Sequence, residues 1–263
     1  MTSVRCAAWV MSTEINSRGA TDLASAEQPT FVLHTRPYRE SSQLVDLFSC
    51  DAGRFRAVAR VSMRARKNTQ MRLQPFVPYY ISCRGRGDLK ALTACEPMKP
   101  VPLIPGERVY IGLYLNELLY RLLPDHIPCE SLYIDYSRLL DALAQDVDME
   151  PALRGFELLL LEEMGSAIDF SADYPEGEPI LVDGLYRFLP GYGLTPVVDG
   201  NRRADNVFAG VDLLAIAQGD FGLASVRRTA KLLLRQAIAA QLEGRPLRSR
   251  ELYRRGFASG AKP

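Results

Sequence analysis

Short runs in which apolar and polar residues alternate occupy residues 30–96 and predict β-strands. Turn signals separate these runs, such as Asp51-Ala52-Gly53 between the second strand and the third. The expected strands cover residues 31–35, 43–49, 54–60, 73–82 and 89–95. Five short strands within about 65 residues are typical of a small closed or nearly closed barrel of the OB type.

Helical periodicity begins after four prolines, which end the strand pattern and predict a stiff linker. Residues 165–206 interrupt the helices with glycine, proline and aspartate, and contain only short β-like pieces such as 180–182 and 185–188. The chain after the last helix is interpreted as a basic tail. The expected helices cover residues 106–123, 132–144, 152–164, 209–217 and 223–242.

These patterns predict an α+β fold in which a five-stranded OB-type barrel precedes a helical domain. The helical domain is expected to carry an irregular insert at 165–206. The expected segments are a disordered extension at 1–29, an OB domain at 30–96, a proline-rich linker at 97–105, a helical domain at 106–256 and a flexible tail at 257–263.

The charge balance is nearly neutral overall, with 32 basic and 31 acidic side chains, but the charges are sorted into blocks. Residues 30–96 carry 12 basic and 5 acidic side chains, a net charge of +7. Residues 97–200 carry 6 and 18, a net charge of −12, and residues 201–263 carry 12 and 5, again +7. Two basic ends around an acidic middle predict a polyanion-binding surface built from both ends of the chain.

Composition also limits location and cofactors. No apolar stretch approaches the roughly 18–20 residues that span a bilayer, and residues 1–29 lack the apolar segment of a secretion signal. The five cysteines are scattered without a C-x-x-C pair, which favours reduced thiols in a cytoplasmic protein over a metal site. We therefore expect no membrane contact, no metal and no other cofactor.

The first candidate for nucleic-acid binding is the basic part of the barrel. Arg54, Arg56 and Arg60 alternate along one strand, so their side chains should share one face. Clustered cations favour phosphate binding through counter-ion release, whereas the alternative is a solvated loop that protects an edge strand. The candidate DNA-binding residues of this region are Arg54, Arg56, Arg60, Arg64, Arg66, Lys67, Arg72, Arg84 and Arg86.

Aromatic residues of the same strands could stack on bases of a single strand. The candidates are Phe55, Phe76, Tyr79 and Tyr80, and the alternative is that these rings fill the barrel core. Because a strand alternates, only one of the two adjacent tyrosines should point outward.

The second candidate is the last predicted helix. Its cations recur at spacings of three and four and form a stripe opposite an apolar face. The alternative is an ordinary solvated helix face. The candidate DNA-binding residues here are Arg227, Arg228, Lys231 and Arg235, followed by Arg248 and Arg250 in the tail.

Signals of catalysis are weak. The two histidines, His34 and His126, lie in no recognisable catalytic motif, and no phosphate-binding G-x-x-x-x-G-K-[ST] sequence occurs. Asp146, Asp148 and Glu150 precede a proline at a helix start, where capping explains them better than a metal does. The chain is therefore interpreted as a non-enzymatic protein, and a hydrolase that uses distant acids is the remote alternative.

Several segments carry a more specific signal. The first is FVLHTRPYRESS at 31–42. The others are GR at 53–54, VAR at 58–60, LQPF at 73–76, RGRGDLK at 84–90, GLYLNELL at 112–119, PALRGFE at 151–157 and GRPLRSREL at 244–252. In this order they resemble the RecO family of recombination mediators, over nearly the whole chain after residue 29.

The resemblance implies an OB domain followed by a helical domain with a zinc-ribbon-like insert. It implies binding of single- and double-stranded DNA, annealing of complementary strands and, with RecR, loading of RecA onto strands coated by single-stranded DNA-binding protein. Many family members carry four cysteines in the insert, but residues 165–206 contain none, so we expect no zinc. The alternative function is an RNA-binding OB adaptor.

The resemblance further implies that the acidic-hydrophobic tail of single-stranded DNA-binding protein docks on the helical domain. Arg154 is the residue expected to receive its carboxylates, and Arg121 is the second choice. The alternatives are a surface ion pair of Arg154 with Glu157 or Glu150, and compensation of a helix C-terminus by Arg121.

Overall fold

The structure is a computed structural model that describes residues 28–60, 73–85, 87–197 and 206–258. Its N-terminal part is a closed five-stranded barrel with the order β1-β2-β3-β5-β4, in which β1 also pairs with β4. All barrel pairings are antiparallel except that of β3 with β5. The strands are β1 (Gln28–Tyr38), β2 (Ser42–Ser49), β3 (Gly53–Arg60), β4 (Pro78–Arg84) and β5 (Leu89–Pro97).

Alternation along the strands fills the barrel interior. In β3, Phe55, Ala57 and Ala59 are buried while the residues between them are less buried. The predicted fourth strand was wrong at its start, because β4 begins only at Pro78. Phe76 has a positive φ of 69°, which breaks an extended chain and turns its ring against Gly112 in the following domain.

The helical part packs around a second apolar core. Its helices are α1 (Arg108–Leu122), α2 (Glu130–Ala142), α3 (Glu150–Glu163), α4 (Gly210–Ala217), α5 (Ala224–Gln241) and α6 (Arg248–Ala258). Each predicted helix is present within two residues at either end. The interpretation of the last segment as a tail was wrong, because most of it forms α6.

Helix α6 begins where it does because a side chain of α1 caps its N-terminus. The Glu117 carboxylate accepts hydrogen bonds from the backbone N–H of Arg248 and Ser249, at 2.9 and 2.8 Å, and from the Ser249 hydroxyl at 2.7 Å. Burial alone would raise the pKa of Glu117, but these donors together with Arg121 outweigh burial and hold the pKa below its usual value. An ionised side chain more than a hundred residues away therefore caps the N-terminus of α6.

The barrel and the helices share a packed interface. Phe31 and Phe48, from β1 and β2, belong to the core of the helical domain, and the Phe31 ring lies edge-on to Tyr136 of α2 with centroids 5.0 Å apart. A β-bulge in β1 leaves the Leu33 carbonyl to accept a hydrogen bond of 3.0 Å from Asn116 Nδ2 of α1. The two domains are thus joined by both apolar and polar contacts.

The insert contains a small antiparallel sheet with the order β7-β6-β8. Its strands are β6 (Leu185–Leu189), β7 (Gly193–Pro196) and β8 (Val207–Ala209). The β-like piece predicted at 185–188 is confirmed as β6. The piece at 180–182 is not a strand, because the Leu181 N–H donates to the Tyr186 hydroxyl and the Val182 carbonyl accepts from Val211. The likeness of the insert to a zinc ribbon stays a prediction.

Among the described residues, no group of three or more metal-ligating side chains lies close enough to hold an ion. No helix of the same residues is long and apolar enough to cross a membrane.

Candidate nucleic-acid interface

The three arginines of β3 share the outer face of the barrel, as their alternation predicts. Two of them meet a carboxylate from the loop between α1 and α2. Arg54 Nη2 lies 2.7 Å from Asp125 Oδ1, and Arg56 Nη2 lies 2.9 Å from Asp125 Oδ2. Arg54 Nη1 also lies 3.4 Å from Oδ1 of the buried Asp46. We call these four residues the interdomain clamp.

Backbone contacts strengthen the clamp. Arg54 Nε donates to the Leu123 carbonyl at 2.8 Å, and the His126 N–H donates to the Arg54 carbonyl at 2.7 Å. Gly53 has a φ of +63°, and a Cβ there would lie 1.8 Å from the Ile127 carbonyl oxygen. The loop after α1 therefore lies directly on β3. Arg54 is only 14% exposed, so its charge is engaged within the protein.

Arg60, at the end of β3, is exposed and has no ion pair within the described part of the chain. Its neighbours include two arginines that sequence reasoning missed. Ser42 pairs with both Tyr38 and Arg60, so the β1–β2 turn that carries Arg39 adjoins Arg60. Arg36 is exposed two residues before Tyr38. The sequence feature that could have identified Arg36 and Arg39 is their position beside a strand turn in a basic segment.

The exposed Arg84 on β4 extends this surface. It pairs with Ala91 of β5, which in turn pairs with Val58 of β3, so Arg84 lies two strand spacings, about 10 Å, from Val58, two residues before the end of β3. We call Arg36, Arg39, Arg60 and Arg84 the barrel patch. The other barrel candidates lie outside the described residues: Arg64, Arg66, Lys67 and Arg72 in the segment that follows Arg60, and Arg86.

The aromatic candidates divide as alternation requires. Tyr79 is buried and Tyr80 is 39% exposed, which confirms that one of the two points outward. Phe55 and Phe76 are buried as well, so these rings and Tyr79 belong to the core. Tyr80 is the aromatic candidate that a base could still reach.

The cationic stripe of α5 is present. Arg228, Lys231 and Arg235 are exposed, and the apolar face opposite them is buried. Arg227 is different, because its Nε donates to the Phe221 carbonyl at 2.6 Å and its Nη1 lies 2.7 Å from Asp148. Arg227 therefore ties α5 to the segment before α3, while the other three cations remain open.

A groove runs between α1, α3, α5 and α6, with a volume of about 760 Å³. Its wall combines six cations, four carboxylates and several apolar side chains, and we call it the cationic groove because the cations outnumber the carboxylates of Glu107, Asp148, Glu150 and Glu157. The cations are Arg108, Arg154, Lys231, Arg235, Arg250 and Arg254, and the apolar and aromatic side chains are Tyr110, Ile111, Tyr114, Val147, Met149, Leu153 and Tyr253. Arg248 is exposed on the first turn of α6 and does not line the groove.

Arg154 lies in this groove but is not the surface residue considered as an alternative, because it is only 7% exposed. The alternative ion pair with Glu157 is confirmed, with Nη1 at 2.6 Å from Oε2. Tyr114 donates its hydroxyl to Glu157 Oε1 at 2.5 Å, and Arg250 Nη2 donates to the Tyr114 oxygen at 3.2 Å. Burial raises the pKa of Glu157, and the Arg154 charge and the Tyr114 hydrogen bond oppose that rise.

The second tail candidate, Arg121, does not line the groove. Its Nη1 donates to the Pro246 carbonyl at 2.8 Å and lies 3.2 Å from Glu117, so it holds the connection between α5 and α6. Arg108 was missed by sequence reasoning and does line the groove, where it contacts Asp146 and the Val147 carbonyl. Its position at a helix start resembles an ordinary solvated charge and carried no signal.

The closed barrel, its strand order and the attached helical domain define an OB-fold protein with exposed cations on both domains. Comparison with protein families specifies the class. The family model described as "Recombination protein O N terminal" matches residues 23–101, and the one described as "Recombination protein O C terminal" matches residues 106–251. The chain belongs to the RecO family of DNA repair proteins.

Individual relatives agree with the family models. A DNA repair protein RecO of Stutzerimonas stutzeri is 43% identical over 89% of this chain and 95% of its own length. A DNA repair protein RecO of Pseudomonas paraeruginosa is 43% identical over 87% of this chain and 95% of its own. One from Pseudomonas putida is 41% identical over 87% and 97%. The resemblance read from the sequence is thus confirmed.

Proposed function

We propose that this protein is a non-enzymatic recombination mediator that binds single- and double-stranded DNA and promotes annealing of complementary strands. The observation that carries the proposal is the presence, in a member of a DNA repair family, of open cations on both domains. These are the barrel patch and the exposed cations of α5 and α6. Within the described residues, none of Arg60, Arg84, Lys231 and Arg235 has an ion-pair partner.

Annealing requires two polyanions to approach each other. Lysine and arginine side chains reduce the repulsion between the strands, because each phosphate contact releases condensed counter-ions. Two cationic surfaces on one chain bring two strands, or two parts of one strand, close together. Tyr80 offers a ring on which an unpaired base stacks, with a stacking contribution of about 1–3 kcal/mol.

The proposed function also includes binding to partner proteins. We propose that the acidic-hydrophobic tail of single-stranded DNA-binding protein occupies the cationic groove, with Arg154 among its contacts. The groove suits such a peptide, because Ile111 and Leu153 offer apolar surface beside the cations. Recruited in this way, the protein acts with RecR to load RecA, in the cytoplasm and at the nucleoid. No metal or other cofactor takes part.

The division of labour follows the proposed domains. The OB domain at 30–96 holds DNA, the linker at 97–105 connects it, and the helical domain at 106–256 recruits partners through a groove on its surface. The insert at 165–206 has no assigned part in DNA contact. Its acidic composition makes it a poor phosphate-binding surface.

The test is a salt titration of affinity for single-stranded DNA and for RNA of the same sequence, combined with an annealing assay in chelator and without nucleotide. We expect annealing to persist and DNA to bind more tightly than RNA, with a steep salt dependence. Arg60→Ala with Arg84→Ala should weaken binding and flatten the salt slope. Arg138→Ala, on α2 and part of neither the barrel patch nor the groove lining, is the matched control.

Three results would contradict the proposal. No affinity for DNA in dilute buffer would end it. A clear preference for RNA would favour the adaptor function instead. Metal-dependent destruction of the oligonucleotide would show an enzyme.

A further inference from the structure

We propose that the acidic peptide and DNA exclude each other at the cationic groove, so that the peptide-bound protein holds DNA on its barrel alone. The proposal rests on the function proposed above and adds a regulatory link between its two ligands. It rests on the finding that candidate residues for two different ligands line the same groove. Lys231, Arg235 and Arg250 were expected to contact DNA, yet they line the same groove as Arg154, the residue expected to receive the peptide.

The groove has the features of a built anion site. Arg154 is 93% buried, and within the described residues its Nε has no hydrogen-bond partner although the side chain lines the groove. Arg108 Nη1 is likewise buried and has no hydrogen-bond partner among the described residues. A buried donor without an acceptor costs free energy, and an anion that enters the groove removes that cost. These two donors are additional to the exposed cations of α5.

Competition follows from charge and space. Each carboxylate in the groove neutralises a cation that a phosphate would otherwise contact, and two anionic chains side by side repel each other. The groove, at about 760 Å³, is lined by one set of six cations rather than two separate sets, and the carboxylates of Glu107, Asp148, Glu150 and Glu157 already balance part of their charge. Ile111 and Leu153 add partly exposed apolar surface that a peptide side chain buries and a sugar–phosphate chain does not. The peptide should therefore displace DNA from this domain.

The barrel should keep its DNA. Arg36, Arg39, Arg60 and Arg84 are on strands or turns of the barrel, and none of them lines the groove. The interdomain clamp fixes the loop after α1 on β3, and the peptide makes no contact that would open it. Loss of DNA affinity is therefore expected to be partial.

The experiment measures the affinity of the full chain for a labelled single-stranded oligonucleotide at several salt concentrations. Each titration is done with and without a saturating peptide that has the sequence of the acidic tail of single-stranded DNA-binding protein. Three lost cation contacts should make the slope of log affinity against log salt shallower by about 2. By thermodynamic reciprocity, saturating oligonucleotide should weaken the peptide by the same factor by which the peptide weakens the oligonucleotide.

The double variant Lys231→Gln with Arg235→Gln should remove most of this coupling, because DNA already lacks those contacts. Arg60→Ala should lower DNA affinity but leave the coupling intact, and Arg138→Ala should leave both intact. All four side chains are at least partly exposed, so folding should be preserved and can be verified by circular dichroism.

The outcomes distinguish failure of the proposed competition from failure of the proposed function. Independent binding of peptide and DNA, with neither affinity changed by the other ligand, overturns the competition and leaves the proposed function standing. Absence of peptide binding overturns both the competition and the peptide part of the proposed function. Absence of DNA binding in dilute buffer overturns everything.

Discussion

The arginines of β3 and the cations of α5 present the same pattern in the sequence and have different surroundings in the structure. In both regions the positive side chains recur with the period of the element and lie on one face. On β3, however, Arg54 and Arg56 are held by Asp125 from the loop after α1. On α5, Lys231 and Arg235 face a groove and have no ion-pair partner in the described part of the chain. Periodicity therefore identifies the face of an element but not what covers it.

The difference has opposite consequences for the two regions. A partly buried arginine with two carboxylate partners contributes to folding, and its removal leaves a buried charge without compensation. Exposed like charges repel each other, and a bound polyanion relieves that repulsion. Arg54 and Arg56 of β3 should therefore affect stability, and Lys231 and Arg235 of α5 should affect binding.

The largest expected effect on stability is that of Arg54→Ala. The substitution leaves the carboxylate of Asp46, which is 1% exposed, without its arginine. We expect the free energy of unfolding in urea to fall by about 3–5 kcal/mol. Arg60→Ala, on the same face of the same strand, should change it by less than about 0.5 kcal/mol. Equal losses for the two variants would show that the clamp is not the stabilising contact.

The next effect concerns the contact between Gly53 and the loop. Gly53→Ala places a Cβ 1.8 Å from the Ile127 carbonyl oxygen at a φ of +63°. We expect a loss of about 2–3 kcal/mol in the free energy of unfolding. Gly177→Ala is the control, because its φ of +74° is similar but its Cβ would meet open space, so only the backbone strain of about 1 kcal/mol remains. If the control loses as much as Gly53→Ala, the close approach has no effect.

A smaller effect, and a pH-dependent one, is expected at the cap of α6. The pKa of Glu117 is lower in the folded protein than in the unfolded chain, so its contribution is complete above the unfolded value, about 4.3. That contribution is lost as the pH falls through the folded pKa, because the carboxylate then takes up a proton. Glu117→Gln should cost about 1–2 kcal/mol at pH 7 and progressively less in acid. A loss that is independent of pH would contradict an electrostatic cap.

The smallest effect on stability is expected for Lys231→Gln with Arg235→Gln. Both side chains are exposed, so the free energy of unfolding should change by less than about 0.5 kcal/mol. The salt slope for single-stranded DNA should nevertheless fall by about 1.4, which two lost phosphate contacts predict. Titrations by fluorescence anisotropy measure this slope. A large loss of stability with an unchanged slope would reverse the comparison between α5 and β3.

Elements with a clear period were predictable from the sequence, and contacts between distant residues were not. The strands of the barrel, apart from the start of β4, and the helices α1 to α5 follow from alternation and helical spacing. Helix α6 was missed because its cap is Glu117, on another helix. The partner of Arg54 is Asp125, which is 71 residues away in the sequence, and no local pattern connects them.

In the candidate site, too, features that depend on local spacing were predictable, and contacts between distant residues were not. The faces of Lys231 and Arg235 were predicted, because each depends only on the spacing along α5. The burial of Arg154 depends on Tyr114, Glu157 and Arg250, which come from three helices. Arg108 joins the groove through the packing of α1 beside the segment before α3, which has no signature in the sequence.

The close approach of Gly53 to Ile127 also sets the length of oligonucleotide that would be needed to reach both proposed DNA-binding surfaces. Because β3 and the loop after α1 touch through backbone atoms, the two domains are expected to move as one body. The span from the barrel patch to the cations of α5 is then constant. An oligonucleotide shorter than this span can occupy only one surface at a time, whereas a longer one gains the second contact intramolecularly. Affinity should therefore rise abruptly at one threshold number of nucleotides rather than gradually with length.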